Sequence, residues 1–526
     1  MRGTFNLAFG AAVTLGAGGC ADDLEPEAVA ERFGELPDGD ACGGPPVEAC
    51  NNPALVAEVR AQISEHGITP LAAPAPIRPE LVELGEALFH DKILSGGRDV
   101  ACGTCHNAAL GTTDRLPLNS GILGHGVGLD RVDGQVGGRH TQALFNLHTL
   151  DVLTVDGKVA EVDGNVIGLG LPVILPQYQV PFEDFPGVAA PRVIAGQAML
   201  PEVTFGEMLG VPGTDPNNEI LGNCLNNVDP LPVIFGCMFD SYMARLGAIP
   251  EYVDLFEAAY PGVPFAEMNF GHAGNAIAAY ELTAFASNDS PWDRFVAGDD
   301  CSLSNKELRG ARLFFDEDGG NCAACHSGNG LSDSDFHQTM APTFGCGNDL
   351  PKRNGADGFD DFGAARNDYA GPWVFGGFGD EIFPVDERYR WRTPPLRNVE
   401  FTAPYGRLGQ YATLEGFIEH YVDPAASLLD YDITQLPDTP FVDYTAFQCA
   451  HDSLHDSLLD NTAGILAAGL DGAMTQVAID DGQDVHRLAA FLRALSDESA
   501  RPSNLAGVIP ATVPSGLPVD VGAPDL

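Results

Sequence analysis

Cys102-Gly-Thr-Cys105-His106 occurs again in spirit as Cys322-Ala-Ala-Cys325-His326, and the reading of that pair of stretches decides the fold. Two thiols at this spacing can add across the vinyl groups of a porphyrin while the next histidine reaches the iron, so each stretch reads as an attachment site for c-type haem. The competing reading, half of a structural zinc site, wants a second Cys or His pair at short range. Neither stretch has one.

Outward from the motifs the pattern is helical. Leu81, Leu84 and Leu88 fall on one face of a helix that starts at Pro79 and leads into the first motif. A second helix opens on the capping box Ser304-Asn-Lys-Glu307 and leads into the second. Gly85-x-x-Leu88-Phe89-x-Asp91 returns as Gly310-x-x-Leu313-Phe314-x-Asp316, 17 residues ahead of Cys102 and 12 ahead of Cys322. This is an internal duplication and predicts two similar helical domains. Further helices are expected at Tyr242 to Leu246, Tyr252 to Ala259, Ala273 to Ala286, Leu414 to Tyr421 and Val485 to Leu495. The last carries Leu488, Phe491, Leu492 and Leu495 on one face. Asn288-Asp-Ser-Pro-Trp292 reads as the junction between 79–287 and 288–500. Ser327 to Tyr389 and the tail, 501–526, read as irregular.

The chain of 526 residues is 44% hydrophobic, enough for two or three domains of ordinary core size. Its 74 acidic and 27 basic residues give a net charge of −47. That argues against nucleic acid and anionic membranes as partners, and suits either a basic protein partner or a salt-adapted, soluble surface. The opening MRGTFNLAFGAAVTLGAGGC has Arg2, an apolar run from Phe5 to Leu15 and small residues before Cys20, a secretory signal (1–20) too short to span a bilayer. Ending on Gly-Gly-Cys it resembles a lipoprotein signal with Cys20 as the lipidated residue, although Ala17 stands where leucine is usual. The expected location is the periplasm or outer cell surface, with membrane contact only through that anchor. Residues 21–78 are acidic and Pro-rich and read as a tether with one helix at Pro53 to His66. Besides Cys20 and the four motif cysteines, seven remain. Cys42 with Cys50 and Cys224 with Cys237 are the expected local disulfides, and the odd count leaves a thiol free.

The run Leu84-Gly-Glu-Ala-Leu-Phe-His-Asp-Lys-Ile-Leu-Ser95 with its Cys-Gly-Thr-Cys-His resembles the first haem region of the bacterial dihaem cytochrome c peroxidase family, which includes the MauG-type protein-modifying enzymes. Gly310-Ala-Arg-Leu-Phe-Phe-Asp316 with Asn321 to Gly328 resembles the second. Arg392-Thr-Pro-Pro-Leu-Arg-Asn398, Thr402-Ala-Pro-Tyr405 and Thr413-Leu-Glu415 resemble its C-terminal signature. The resemblance runs from Pro79 to Leu495. It implies a mainly α protein of two cytochrome c-like haem domains packed together with long irregular loops, the first domain peroxidatic and the second electron-transferring. It implies two covalently bound c-type haems, with His106 and His326 as iron ligands, and would allow a homodimer.

In that family a glutamine and a glutamate sit over the open face of the first haem. Gln197-Ala198, Pro201 and Glu207-Met208 reproduce the motif with its ten-residue spacing. Glu207 would take a proton from peroxide and return it to the departing oxygen, while Gln197 orients the oxygens. The sixth ligand of the second haem follows Thr-Leu-Glu and is methionine in the peroxidases and tyrosine in the MauG branch. Tyr421 holds that place, with His420 beside it as the alternative. A phenolate would stabilise oxidised iron. His125, in Gly-His-Gly, lies near where peroxidases keep a resting-state ligand of the first haem.

Three positions depart from the pattern. Val155-Asp-Gly-Lys158 stands where members often carry Trp-Asp-Gly-Arg, whose indole relays electrons, so transfer here must use another route. Thr402 and Pro404 match the carbonyl donors of an interdomain calcium, but Arg139-His140-Thr-Gln142 replaces its asparagine, which leaves the calcium open. Arg407 replaces the histidine after Pro-Tyr-x. The leading expectation is an exported peroxidase taking hydrogen peroxide at the first haem and electrons from a donor such as a small cytochrome c. A MauG-like enzyme acting on a protein substrate, a plain dihaem electron carrier and a haem-based sensor are the alternatives.

Overall fold

The computed structural model describes residues 50–157, 159–162, 165–168, 191–210, 212–213, 215–225, 231–344, 389–436, 454–479 and 482–523. The signal segment with Cys20, and Cys42, Lys158, Cys346 and Cys449, lie outside the described residues.

Helices α1 (Pro53–Glu65), α2 (Pro79–His90), α3 (Phe270–Ala284), α4 (Asn305–Phe315), α5 (Leu414–Val422) and α6 (Gly482–Ala494) position the two motifs. The protein is mainly α, as its periodicity predicts. Pro79 begins α2, where a missing N–H costs nothing, and Leu81, Leu84, Leu88 and Phe89 are buried. α4 opens on the expected capping box. Ser304 N–H donates to Glu307 Oε2 (2.6 Å), and Glu307 N–H donates to Ser304 Oγ (3.3 Å).

The duplicated glycines explain the duplication. α2 packs on α3, and α4 packs on α6. A Cβ on Gly85 would lie 2.7 Å from the carbonyl carbon of Ala276 and 2.8 Å from Tyr280 Cβ. One on Gly310 would lie 2.6 Å from the carbonyl carbon of Arg487 and 2.8 Å from Phe491 Cβ. Each glycine is the point where two helix backbones touch, and the phenylalanine four residues later fills the core beside it. Phe89 and Phe314 are both buried.

The main apolar clusters follow the two halves. One joins α2 and α3 with residues such as Phe239, Tyr242 and Phe256. The other joins α4 and α6 with Trp292, Phe295 and Phe315. The N-terminal extension corrects the tether expectation over its described part. α1 buries Leu55, Val56, Val59 and Ile63 in the second cluster, beside α4. The pairing of Cys42 with Cys50 is also overturned, because Cys50 is bonded to Cys301, 251 residues away. α1 lies on the second core, which brings Cys50 to a partner that no local spacing reveals. Cys224 pairs with Cys237 as expected.

Two small antiparallel sheets were not foreseen, and Phe336–His337 of the second lies within the stretch Ser327 to Tyr389 expected to be irregular. β1 (Val152–Leu153), β2 (Val159–Val162) and β3 (Asn165–Gly168) form one in that order. β4 (Phe336–His337) and β5 (Trp391–Arg392) form the other, with His337 opposite Trp391. The helices Pro291–Val296, Pro424–Leu429 and Leu454–Ala468 were likewise not foreseen.

The tail has the short helix Pro502–Leu505 and is otherwise largely irregular, as expected. It is nonetheless tied down. It returns across the first motif, where Asp520 accepts from Lys92 Nζ (2.7 Å) and Thr104 Oγ1 (2.6 Å). Ser515 Oγ donates to the buried Asp91 (2.6 Å). Among the described residues no helix is long and apolar enough to cross a membrane.

Candidate haem sites and the cavity between them

At the first motif, Cys102–Cys105 forms one helical turn closed by Ala101 N–H donating to Thr104 Oγ1 (2.8 Å). His106 follows, its Nδ1 3.3 Å from the Thr112 carbonyl. At the second, Cys322–Ala324 is a 3₁₀ turn and His326 Nδ1 lies 3.1 Å from the Leu331 carbonyl. A carbonyl on Nδ1 fixes the tautomer whose Nε2 lone pair is offered to a metal. Burial pushes His106 down to about 4 and lowers His326, so both rings are neutral, the form an iron accepts. All four motif cysteines are free thiols. Burial pushes Cys105 and Cys322 up to about 12, which keeps these thiols protonated. Uncommitted thiols and a backbone-oriented neutral imidazole in each copy fit a covalently held haem.

A cavity of about 320 Å³ runs between the two halves. His106 and Gln197 line it from the first half, and Cys322, Cys325, His326 and Tyr421 from the second. Leu414, Phe417, Ile418 and Tyr421 reach it at helical spacing from α5. His420 is turned away and buried, its Nε2 2.8 Å from the Thr339 carbonyl. The Tyr421 hydroxyl is shifted upward, first by burial and then by the neighbouring Cys322 and Cys325.

Gln197 ends the helix Pro191–Gln197, and Pro201 starts a 3₁₀ turn. Glu207 lies half-buried on a π-turn, Phe205–Leu209, a conformation that is rare and concentrated at functional sites. Its backbone is fixed, since Ile122 N–H donates to its carbonyl (3.0 Å) and a Cβ on Gly121 would come within 2.7 Å of that oxygen. The Glu207 charge bears on Cys105. Gln197 therefore faces the cavity with His106, and Glu207 lies near the first motif.

Other predicted residues sit elsewhere. His125 is exposed on a turn where its backbone pairs with Val132 (2.9 Å), away from the cavity lining. Thr402 and Pro404 line the cavity. The His140 ring, however, hydrogen-bonds the Leu116 carbonyl (2.6 Å) and that of Thr402. An imidazole therefore stands beside the Thr402 carbonyl where the family pattern has an asparagine.

Sequence reasoning missed three buried acids around the first motif. Glu202 is fully buried and neither carboxyl oxygen has a hydrogen-bond partner among the described residues. Burial raises it well above the carboxylate range, and Glu207 and Glu281 add to the shift. Burial pushes Glu281 up to about 8 and Asp114 up to about 7. Glu202 and Glu281 both bear on Cys102. Glu281 was legible as a lone charge in the apolar run Ala276 to Phe285. Glu202 carried no such signal.

Residues 79–301 match the family described as di-haem cytochrome c peroxidase. The matched stretch, which holds the first motif and not the second, is similar to that family. Relatives of this di-haem family extend the match. The methylamine utilization protein MauG of Methylorubrum extorquens is 26% identical over 70% of this chain and 75% of its own. The cytochrome c551 peroxidase of Pseudomonas aeruginosa is 28% identical over 64% and 69%. The diheme peroxidase BthA from Burkholderia thailandensis shares the fold, with a TM-score of 0.50 and 19% identity over 85% of this chain and 91% of that one. These likenesses mark an oxidoreductase of the cytochrome c peroxidase type and imply two c-type haems.

Proposed function

We propose that the protein is an exported dihaem peroxidase that reduces hydrogen peroxide to water at the first haem site, with electrons relayed through the second. The observation that carries this reading is Gln197 on the cavity with His106, together with Glu207 on a rigid π-turn beside Cys105. Cys102, Cys105 and His106 would hold one haem, and Cys322, Cys325 and His326 the other. When bound, the haems supply the redox-active iron. The chain's own work is with protons and position. Glu207 removes the proton from one peroxide oxygen and delivers it to the other, which leaves as water. Gln197 donates its amide N–H to hold the oxygens in line. Two disulfides support export to an oxidising compartment, and the lipid anchor on Cys20 belongs to the same reading.

A second reading, MauG-like oxidation of a residue in a partner protein, is favoured by Tyr421 facing the cavity where His420 does not. A phenolate ligand favours oxidised iron and would suit storing oxidising equivalents over passing electrons from a small cytochrome. Mixing the holoprotein with peroxide, with and without a reduced small cytochrome, separates the readings. Fast oxidation of the cytochrome supports the peroxidase. A long-lived doubly oxidised state without donor turnover supports the MauG-like enzyme. No reaction with peroxide refutes both.

A further inference from the structure

Arg131 is 1% exposed, and its side-chain partners among the described residues are three backbone carbonyls. Nε donates to Ser120 (2.6 Å), Nη1 to Gly126 (2.9 Å) and Nη2 to Gly121 (2.5 Å). Burying a guanidinium is costly, and an aliphatic side chain would fill the same space without that cost. What an aliphatic group could not do is gather three carbonyls at fixed angles, as a planar fork of N–H donors does. The seat is shaped for the fork. A Cβ on Gly124 would lie 2.7 Å from the guanidinium carbon, so only glycine leaves room for it. The carbonyls belong to the segment that supports Glu207. Gly121 is pressed so closely on the π-turn that a Cβ there would meet the carbonyl oxygens of Gly206 and Glu207, and Ile122 N–H donates to the Glu207 carbonyl (3.0 Å). The Ser120 carbonyl lies 3.8 Å from Cys105 Sγ. The charges of Arg131 and Glu207 both bear on that thiol. One buried side chain thus ties the wall beside Cys105 to the turn that carries Glu207.

We propose that Arg131 is a positioning residue for Glu207, fixing residues 120–122 and through them the backbone that aims the Glu207 carboxyl. This rests on the role proposed for Glu207 above. The guanidinium keeps its proton throughout and takes no part in the proton transfer. Its contribution is geometric. A π-turn is a rare backbone conformation, and this one is held by Gly121 and Ile122 rather than by a long helix on either side. Loosening that support lets the carboxyl drift, and a misplacement of about an ångström can cost about a hundredfold in rate.

The test uses holoprotein and two variants that disturb the same contact from opposite sides. Arg131→Lys keeps the charge and loses the fork. Gly124→Ala keeps the fork and crowds its seat. Amide hydrogen exchange at Ile122 should accelerate about tenfold or more in both, with the amides of α4 unchanged. The rate at which peroxide alters the first haem's absorption should fall by about tenfold to a hundredfold, and the second haem's absorption should not change. A double substitution decides the matter. Because Arg131 acts through Glu207, Arg131→Lys or Gly124→Ala should slow the wild type and add no further loss in a Glu207→Gln background. Equal slowing in the two backgrounds would overturn the proposal, since a side chain that merely holds the domain together slows both alike. So would Ile122 exchange at the wild-type rate in both variants. Glu207→Gln reacting as fast as the wild type would refute the proposed role of Glu207 and, with it, any use for its positioning. A slow Glu207→Gln beside an Arg131→Lys of wild-type rate would refute the positioning alone.

Discussion

Replacing Gly310 by alanine should destabilise the second haem domain by roughly 2 kcal/mol. A Cβ at this position would sit 2.6 Å from the Arg487 carbonyl carbon, with Phe491 Cβ at 2.8 Å behind it. Carbon atoms pack at about 3.5–4.0 Å, so α4 and α6 would have to separate by roughly an ångström. The obstacle is helix backbone, which cannot rotate aside as a long side chain can. Overpacking a close-packed core costs about 1–3 kcal/mol, and this geometry belongs near the top of that range. Alanine recovers about 1 kcal/mol of helix propensity. The net loss of about 2 kcal/mol should lower the melting midpoint by roughly 4–8 °C for a domain of this size. Thermal unfolding of the holoprotein, followed by far-ultraviolet circular dichroism and by haem absorption, measures it. The two probes are needed because two domains need not melt together. Gly222→Ala is the control, since nothing lies within 4 Å of a Cβ there, and it should melt at or above the wild type. A Gly310→Ala protein that melts with the control would refute the claim that the repeated glycine sets the helix approach.

Glu281 should make stability fall with rising pH. Its carboxyl is raised from an ordinary value of 4.5 to about 8. Between those limits the folded state keeps a proton that the unfolded state has lost, so on the order of 5 kcal/mol is lost across the window, and the dependence flattens above it. Denaturant titrations of Glu281→Gln should show that slope reduced, and an identical slope would contradict the assignment. Asp520→Ala removes the acceptor for Lys92 and Thr104 beside the first motif and should cost about 2–3 kcal/mol. Amide exchange near Cys102 should then accelerate, and no change there would refute the strap. Tyr421→Phe should alter the absorption of the second haem while leaving the first unchanged, whereas His420→Phe should disturb stability alone. The opposite pattern would move the ligand to His420.

What was legible in the sequence was local. The C-x-x-C-H motifs, the leucine spacing of α2 and the Ser304 to Glu307 capping box each lie within one or two helical turns, where short-range geometry dictates structure. The Gly85 and Gly310 repeat was legible as a duplication but not as a helix contact, because Ala276 and Arg487 lie nearly 180 residues or more away. Gln197 and Glu207 were legible by resemblance, while their supports were not. The π-turn under Glu207 depends on Ile122 and Gly121 arriving from another segment. Long-range placements escaped for the same reason. Cys50 finds Cys301 only once α1 has docked, and Trp391 meets Arg139 only when β5 lies against the first half.

The two halves share a scaffold and differ in the charge around their motifs, and that difference supports a division of labour. Around the first, Glu202, Glu281 and Asp114 are buried acids held near or above neutrality, with Glu207 close to Cys105. A cluster of like acids in a dry site cannot all ionise, so protons stay bound there at neutral pH. Around the second, the cavity wall is supplied by Phe417, Ile418, Leu488 and Leu492 with the raised phenol of Tyr421. His337 is raised, chiefly by its hydrogen bond to Asp333. Peroxide cleavage needs protons delivered where the oxygens part, and electron transfer needs surroundings whose charge does not change as the iron is reduced. The acids lie at the first motif, near Glu207, and the imidazole–carboxylate pair of His337 and Asp333 at the other. A duplicated scaffold becomes asymmetric through these few buried groups.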